Sequence, residues 1–253
     1  MSYEKNVFVS EIKDKVIIIT GANSEIGEAT ALLLAERGAK IVLGAHRVER
    51  LEALAESIVN RGGEAIYAST DVQRSEDLSS LVRLATERYG KLDVFINNTG
   101  IMPISPLDEL RIEDWNVMID INMKGVLYGI AAALPVFRKQ GFGHIVNTSS
   151  TAGHKTGQNQ SVYSGTKFTV RAISEGLRQE AGDQLRVSVI SPGIVRTNFT
   201  ESITNKEMRD RLANIRDELA MPPDAVARAI AFVIEQPADI AVNEIVIRPT
   251  AQV

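Results

Sequence analysis

The stretch Val16-Ile17-Ile18-Ile19-Thr20-Gly21-Ala22-Asn23-Ser24-Glu25-Ile26-Gly27 decides the fold. A short run rich in Val and Ile breaks at a glycine and passes directly into a helical pattern. That is a strand, a tight turn and a helix N-terminus in series. Main-chain N–H groups at such a helix start can hold a pyrophosphate, helped by the positive end of the helix dipole. Gly21 permits the turn, and Gly27 lets the helix pack closely on the strand. Gly21, Asn23, Ser24 and Ile26 are therefore candidate cofactor-binding residues.

Outward from this segment the same alternation repeats. Strands are expected at Val16–Thr20, Lys40–Gly44, Glu64–Ala68, Leu92–Ile96, His144–Thr148, Arg186–Ile190 and Glu244–Ile247. Most are apolar throughout, as expected where helices cover both faces of a parallel sheet. Helical patterns fall between them, at Ala29–Arg37, Arg50–Arg61, Leu78–Tyr89, Trp115–Arg138 and Val162–Ala181. Unbroken strand–helix alternation predicts an α/β doubly wound parallel sheet. With no linker, repeat or low-complexity tract, residues 1–253 read as one domain. Its ligand should sit beyond the carboxyl ends of the strands, where the strand order reverses.

Composition narrows the chemistry. The chain has 253 residues, no cysteine and three histidines, His46, His144 and His154. Thiolate nucleophiles, disulfides and Cys-ligated metals are excluded, and no metal site is expected. A net charge of −4 argues against nucleic acid as a partner. The segment Met1–Lys15 is too charged for a signal peptide, and no run approaches 18 apolar residues, so a cytoplasmic protein with no membrane partner is expected.

Two further sites carry chemistry. The second strand ends Leu43-Gly44-Ala45-His46-Arg47, with no acid to bind ribose hydroxyls. The Arg47 fork matches a phosphate, which favours NADP(H) over NAD(H), although an arginine at a helix start can also be simply solvated. Tyr163 and Lys167 lie four residues apart, on one face of a helix. Ser150 precedes Tyr163 by 13 residues, at the end of a strand. A tyrosine that protonates a carbonyl near neutral pH must overcome a reference pKa of about 10, and an adjacent ammonium is expected to lower it. Ser150 could hydrogen-bond the substrate oxygen and fix it for hydride attack.

These residues resemble the short-chain dehydrogenase/reductase family from about Lys15 onward. The carriers are the Gly21–Gly27 loop, Asp71-Val72, Asn97-Asn98-Thr99-Gly100, Asn122-Met123-Lys124-Gly125, Ser149-Ser150, Tyr163–Lys167, and Pro192-Gly193 with Thr197. The resemblance implies a Rossmann fold and an NADP(H)-dependent enzyme acting on a small carbonyl or alcohol. It casts Tyr163 as general acid and base, with Lys167 binding the nicotinamide ribose and tuning Tyr163. Ser150 would orient the substrate, and Asn122 would hold a water in a proton relay. It also implies that Asp71 and the Val72 amide meet the adenine, Asn98 packs along the cofactor, and Ile194 with Thr197 holds the nicotinamide carboxamide. The ending Asn243–Gln252 resembles reductases for 3-hydroxy acids, serine-like substrates or broad carbonyl compounds. That branch is tetrameric, with helices matching Trp115–Arg138 and Val162–Ala181 at its interfaces.

Two residues depart from the family pattern. Glu25 replaces the middle glycine of the phosphate loop, where it would oppose a pyrophosphate unless its side chain turns to solvent. Thr99 replaces the usual alanine. Residues 199–221 are expected to form a substrate lid, with Met208, Leu212, Ile215 and Leu219 at helical spacing. Arg209, Arg211 and Arg216 could attract a carboxylate or form a solvated face, and His154 could be pocket wall or surface. A 3-ketoacyl reductase acting on a carrier protein, and a dinucleotide sensor without turnover, are the competing readings.

Overall fold

The computed structural model describes residues 12–252, so most of the charged opening within Met1–Lys15 lies outside the described residues. Seven parallel strands form one sheet: β1 (Val16–Thr20), β2 (Lys40–Ala45), β3 (Glu64–Ser69), β4 (Val94–Asn97), β5 (Gly143–Thr148), β6 (Leu185–Pro192) and β7 (Glu244–Ile247). Their order is β3-β2-β1-β4-β5-β6-β7. The chain moves one way from β1 to β3 and then returns to pair β4 on the other side of β1. The switch point is therefore the crevice between the ends of β1 and β4.

The uniformly apolar strands follow from the two covered faces. Ile17 and Ile19 of β1, with Ile41 and Leu43 of β2, join one core with α1 (Glu25–Glu36), α2 (Val48–Asn60) and α8 (Pro223–Glu235). Their alternates Val16, Ile18 and Val42 join the opposite core with α3 (Ser75–Tyr89), α5 (Gly125–Gln140) and α6 (Ser161–Ala181). Side chains still alternate along these central strands, but neither face meets water, whereas the edge strands β3 and β7 stay partly exposed.

Several boundaries differ from the sequence reading for local reasons. Helix α1 begins at Glu25 instead of Ala29, because the Ser24 hydroxyl caps it by accepting from Gly27 N–H at 3.2 Å. Strand β4 begins at Val94, and Asp93 before it turns its carboxylate to the Val16 N–H at 2.7 Å. The expected helix Trp115–Arg138 runs from Ile112 to Gln140, as α4 (Ile112–Ile119), one π turn (Asp120–Lys124) and α5. By length and composition alone this helix could cross a membrane, although Asp120 and Lys124 interrupt its apolar run. In the fold Val126, Ile130, Ala133 and Phe137 are buried in the second core.

The expected lid begins with one 3-10 turn (Asn198–Ser202) and continues as α7 (Lys206–Leu219). The backbone on either side of Val195 pairs with Met221, through the Ile194 carbonyl and the Arg196 N–H, which anchors both ends of this segment beside β6.

Candidate active site

A cavity of about 750 Å³ opens at the carboxyl ends of the strands. One end is lined by Gly21, Asn23, Ser24, Ile26 and Arg47, and the other by Ser150, Tyr163, Lys167, Ile194 and Thr197. Asn98 lines it between them.

The phosphate loop is built as its glycines require. Gly21 adopts a left-handed φ of 64°, and a Cβ there would press on Thr99 at 3.0 Å. A Cβ on Gly27 would overlap the Gly21 carbonyl oxygen, so the helix start and the turn can approach only with glycine there. The Asn98 amide ties the loop to β4, donating to the Thr20 carbonyl at 3.1 Å and the Ser24 hydroxyl at 3.2 Å.

Glu25 turns its carboxylate to the Asn198 N–H at 3.3 Å, so it bridges the phosphate loop and the start of the lid. Arg47 sits at the N-terminus of α2 without an ion pair among the described residues. Its neighbour His46 approaches Asp71 at 3.5 Å.

Asp71 and Val72 lie outside the cavity lining. The Asp71 carboxylate accepts from Gln73 N–H at 2.9 Å, and its own N–H donates to Asp77 at 3.0 Å. Val72 is buried, with its side chain against Gly125.

At the far end, β5 and α6 bring the serine, tyrosine and lysine together. Tyr163 and Lys167 are buried, and the ammonium lies 5.9 Å from the Tyr163 ring centroid. Lys167 Nζ donates to the Thr148 carbonyl at 3.1 Å. The Ser149 hydroxyl donates to the Lys167 carbonyl at 3.0 Å and fixes α6 against β5. Ser150 accepts from Ala152 N–H at 3.1 Å, which holds the one-turn loop that follows it.

Burial pushes the Tyr163 phenol up to about 12, opposed by a hydrogen bond with Ser150. Burial also lowers Lys167 to about 8. The lowering of Tyr163 expected from Lys167 does not emerge: loss of water around each buried group is the largest influence on both.

Asn122 sits in the π turn, the kind of helix irregularity found at functional sites. Its carboxamide accepts from Ile101 N–H and donates to the Ile101 carbonyl, both at 2.9 Å, and donates to Thr166 at 3.2 Å. It therefore braces the strand-end loop directly. A Cβ placed on Gly100 would lie 3.4 Å from both Asn122 Oδ1 and Lys167 Nζ, so both side chains border that glycine.

Glu244 is a further positioning group that local sequence could not reveal, since its partners lie far along the chain. It receives a bidentate pair from Arg171 at 2.8 and 3.0 Å, Ser191 at 3.1 Å and His154 at 2.8 Å. Arg171 also donates to the Gly153 carbonyl, which fastens the loop after Ser150. His154 proves to be cavity wall.

In the lid, Leu212 and Ile215 face the cavity, while Arg216 binds the Thr197 carbonyl and the Thr200 hydroxyl. Arg209 and Arg211 stand outside the lining.

The residues fit a dinucleotide. The loop supplies a close main-chain cradle, and Thr99 and Thr148 line the cavity with buried hydroxyls that have no partner among the described residues. A doubly wound sheet with such a cradle at its switch point and a hydroxyl–phenol–amine cluster beside it defines a class of dinucleotide-dependent oxidoreductases.

The model of the short chain dehydrogenase family matches residues 15–208, and the chain belongs to the short-chain dehydrogenase/reductase family. An uncharacterized oxidoreductase of Listeria innocua is 51% identical over 244 residues, covering 95% of this chain and 98% of that one. The alcohol dehydrogenase of the archaeon Thermococcus sibiricus, complexed with 5-hydroxy-NADP, is 31% identical with a TM-score of 0.85, covering 95% of this chain and 98% of that one. A short chain dehydrogenase/reductase of Burkholderia phymatum in complex with NAD is 26% identical with a TM-score of 0.86, covering 93% and 89%.

Proposed function

We propose that the protein is an NADPH-dependent carbonyl reductase that also runs as an alcohol dehydrogenase on a small ketone, aldehyde or secondary alcohol. The observation that carries this reading is the Ser150–Tyr163–Lys167 cluster, buried at one end of a cavity whose other end is the phosphate loop. The bound cofactor supplies a hydride donor or acceptor at its nicotinamide ring.

The chain's own groups do the rest. Ser150 and Tyr163 present hydroxyls to the carbonyl oxygen and orient it. Tyr163 holds its proton at neutral pH, since burial keeps the phenol neutral, and delivers it to that oxygen as charge develops there. Lys167, held by the Thr148 carbonyl, is the cation that supports the phenolate left behind and binds the nicotinamide ribose. Asn122, which borders Gly100 as Lys167 does, holds a water that returns the proton. Gly21, Asn23, Ser24 and Ile26 hold the pyrophosphate, Asn98 fixes their loop, and Asp71 and Val72 meet the adenine beyond Arg47. Ile194 and Thr197 take the carboxamide.

Arg47 favours a 2′-phosphate, in keeping with the 5-hydroxy-NADP bound by the Thermococcus relative. The chain acts as one catalytic domain with a lid over residues 199–221, in a cytoplasmic homotetramer.

A panel of carbonyl compounds assayed for substrate-stimulated oxidation of NADPH and NADH tests the reading. Turnover with a ketone or aldehyde and NADPH is expected. A panel that yields none with either cofactor would refute it.

A further inference from the structure

Residues 249–252 turn back toward the cavity. After β7 the backbone folds over Pro249, whose carbonyl accepts from the Gln252 N–H at 3.0 Å. The turn delivers the Gln252 side chain to the segment that follows β6. There Gln252 Oε1 accepts from the Ile194 N–H at 2.9 Å. Both residues line the cavity that Tyr163 and Lys167 also line, and Ser150 donates to the carbonyl of Pro192, two residues before Ile194, at 3.5 Å. The Ile194 carbonyl is already engaged with Met221 N–H at 3.0 Å, so the N–H is the residue's remaining main-chain group.

The approach is tight. A Cβ on Gly193 would overlap Gln252 Oε1, so only glycine at that position admits the glutamine. Gly193 is held in turn by the Ile247 carbonyl at 2.7 Å, which fixes the distance between the two segments.

The chemistry of this contact is specific. Glutamine ends in a primary carboxamide, and so does nicotinamide. A cofactor whose pyrophosphate sits on the Gly21–Gly27 loop carries its nicotinamide to the Tyr163 end, where the Ile194 N–H is a main-chain donor. One N–H makes one good hydrogen bond. The carboxamide oxygen of Gln252 and that of a nicotinamide therefore compete for it.

We propose that Gln252 is a determinant of cofactor affinity. It occupies the Ile194 N–H in place of the nicotinamide carboxamide and is displaced when the cofactor binds. The inference rests on the dinucleotide reading above. Its consequence is selective: the tail opposes ligands that carry a nicotinamide and ignores those that carry only the adenine, ribose and phosphate portion.

The test measures binding by titration calorimetry on the full chain, for wild type and Gln252→Ala. Two ligands are used, NADPH and 2′-phospho-ADP-ribose, which lacks the nicotinamide. Removing the competitor should tighten NADPH by about twofold to tenfold, the worth of one neutral hydrogen bond, and leave 2′-phospho-ADP-ribose unchanged. Unchanged or weaker NADPH binding would overturn the proposal. So would an equal gain for both ligands, since that would mark a general loosening of the cavity. If neither ligand binds the wild-type chain, the dinucleotide reading itself fails and this inference falls with it.

Discussion

Replacing Lys167 with methionine should make the protein more stable at neutral pH while removing its activity. Lys167 is 4% exposed, and burial lowers its ammonium from 10.5 to about 8. Keeping that charge at pH 7 therefore costs roughly 3 kcal/mol relative to the unfolded chain. Methionine has a similar length and no charge, so the cost disappears. The hydrogen bond to the Thr148 carbonyl is lost, which returns about 1 kcal/mol. The net expectation is a gain of about 2 kcal/mol at pH 7, or a rise in Tm of roughly 4–8 °C for a chain of this size.

The pH dependence separates this account from simple repacking. The folded value lies below the unfolded one, so between about 8 and 10.5 the unfolded chain binds more protons. Wild-type stability attributable to Lys167 thus rises with pH across that window, and the full penalty stands only below it. The advantage of Lys167→Met should shrink by about 2 kcal/mol between pH 7 and about pH 9.5. Urea unfolding of both proteins at the two pH values measures it. A variant less stable than wild type at pH 7, or an advantage that does not change with pH, would refute the reasoning.

Carbonyl reduction should stay level through neutral pH and fall above about 8, because Tyr163 keeps its proton to about 12 while Lys167 loses its charge first; a profile of kcat/KM that rises above 8 would contradict this. Ala45→Asp with Arg47→Ala should move the NADPH:NADH ratio of kcat/KM toward NADH by about 10–100-fold, the worth of a charged hydrogen bond, and a wild-type preference for NADH would defeat the assignment of Arg47. Glu25→Gln keeps an acceptor for the Asn198 N–H and removes a negative charge beside the phosphate loop. NADPH should then bind about two- to fivefold tighter at low salt, with the gain fading as salt rises, and an affinity independent of the substitution would show that the carboxylate is already screened.

The sheet was readable because its central strands are buried on both faces: Val16 through Thr20 needs no partner information to read as a central strand. Ser24, Gly21 and Gly27 were readable for a different reason, since a cap, a left-handed φ and a close approach each demand one residue type. The Tyr163–Lys167 pair was legible through helical spacing taken together with Ser150 at a strand end 13 residues earlier. Balances and distant pairings were not. The spacing that brings Lys167 to Tyr163 says nothing of how dry the site is, and dryness sets both proton affinities. Glu244 meets Arg171 and His154 only once β7 closes the sheet beside β6. The π turn at Asn122 has no local signal, because its sequence continues a regular apolar helix on both sides.

Tyr163→Phe tests the central claim most directly, by removing one oxygen from a buried ring and leaving its packing in place. Substrate-stimulated NADPH oxidation should fall by at least about a hundredfold, the contribution of a positioned general acid, while NADPH affinity stays near that of wild type. Turnover retained in the phenylalanine variant would contradict the account.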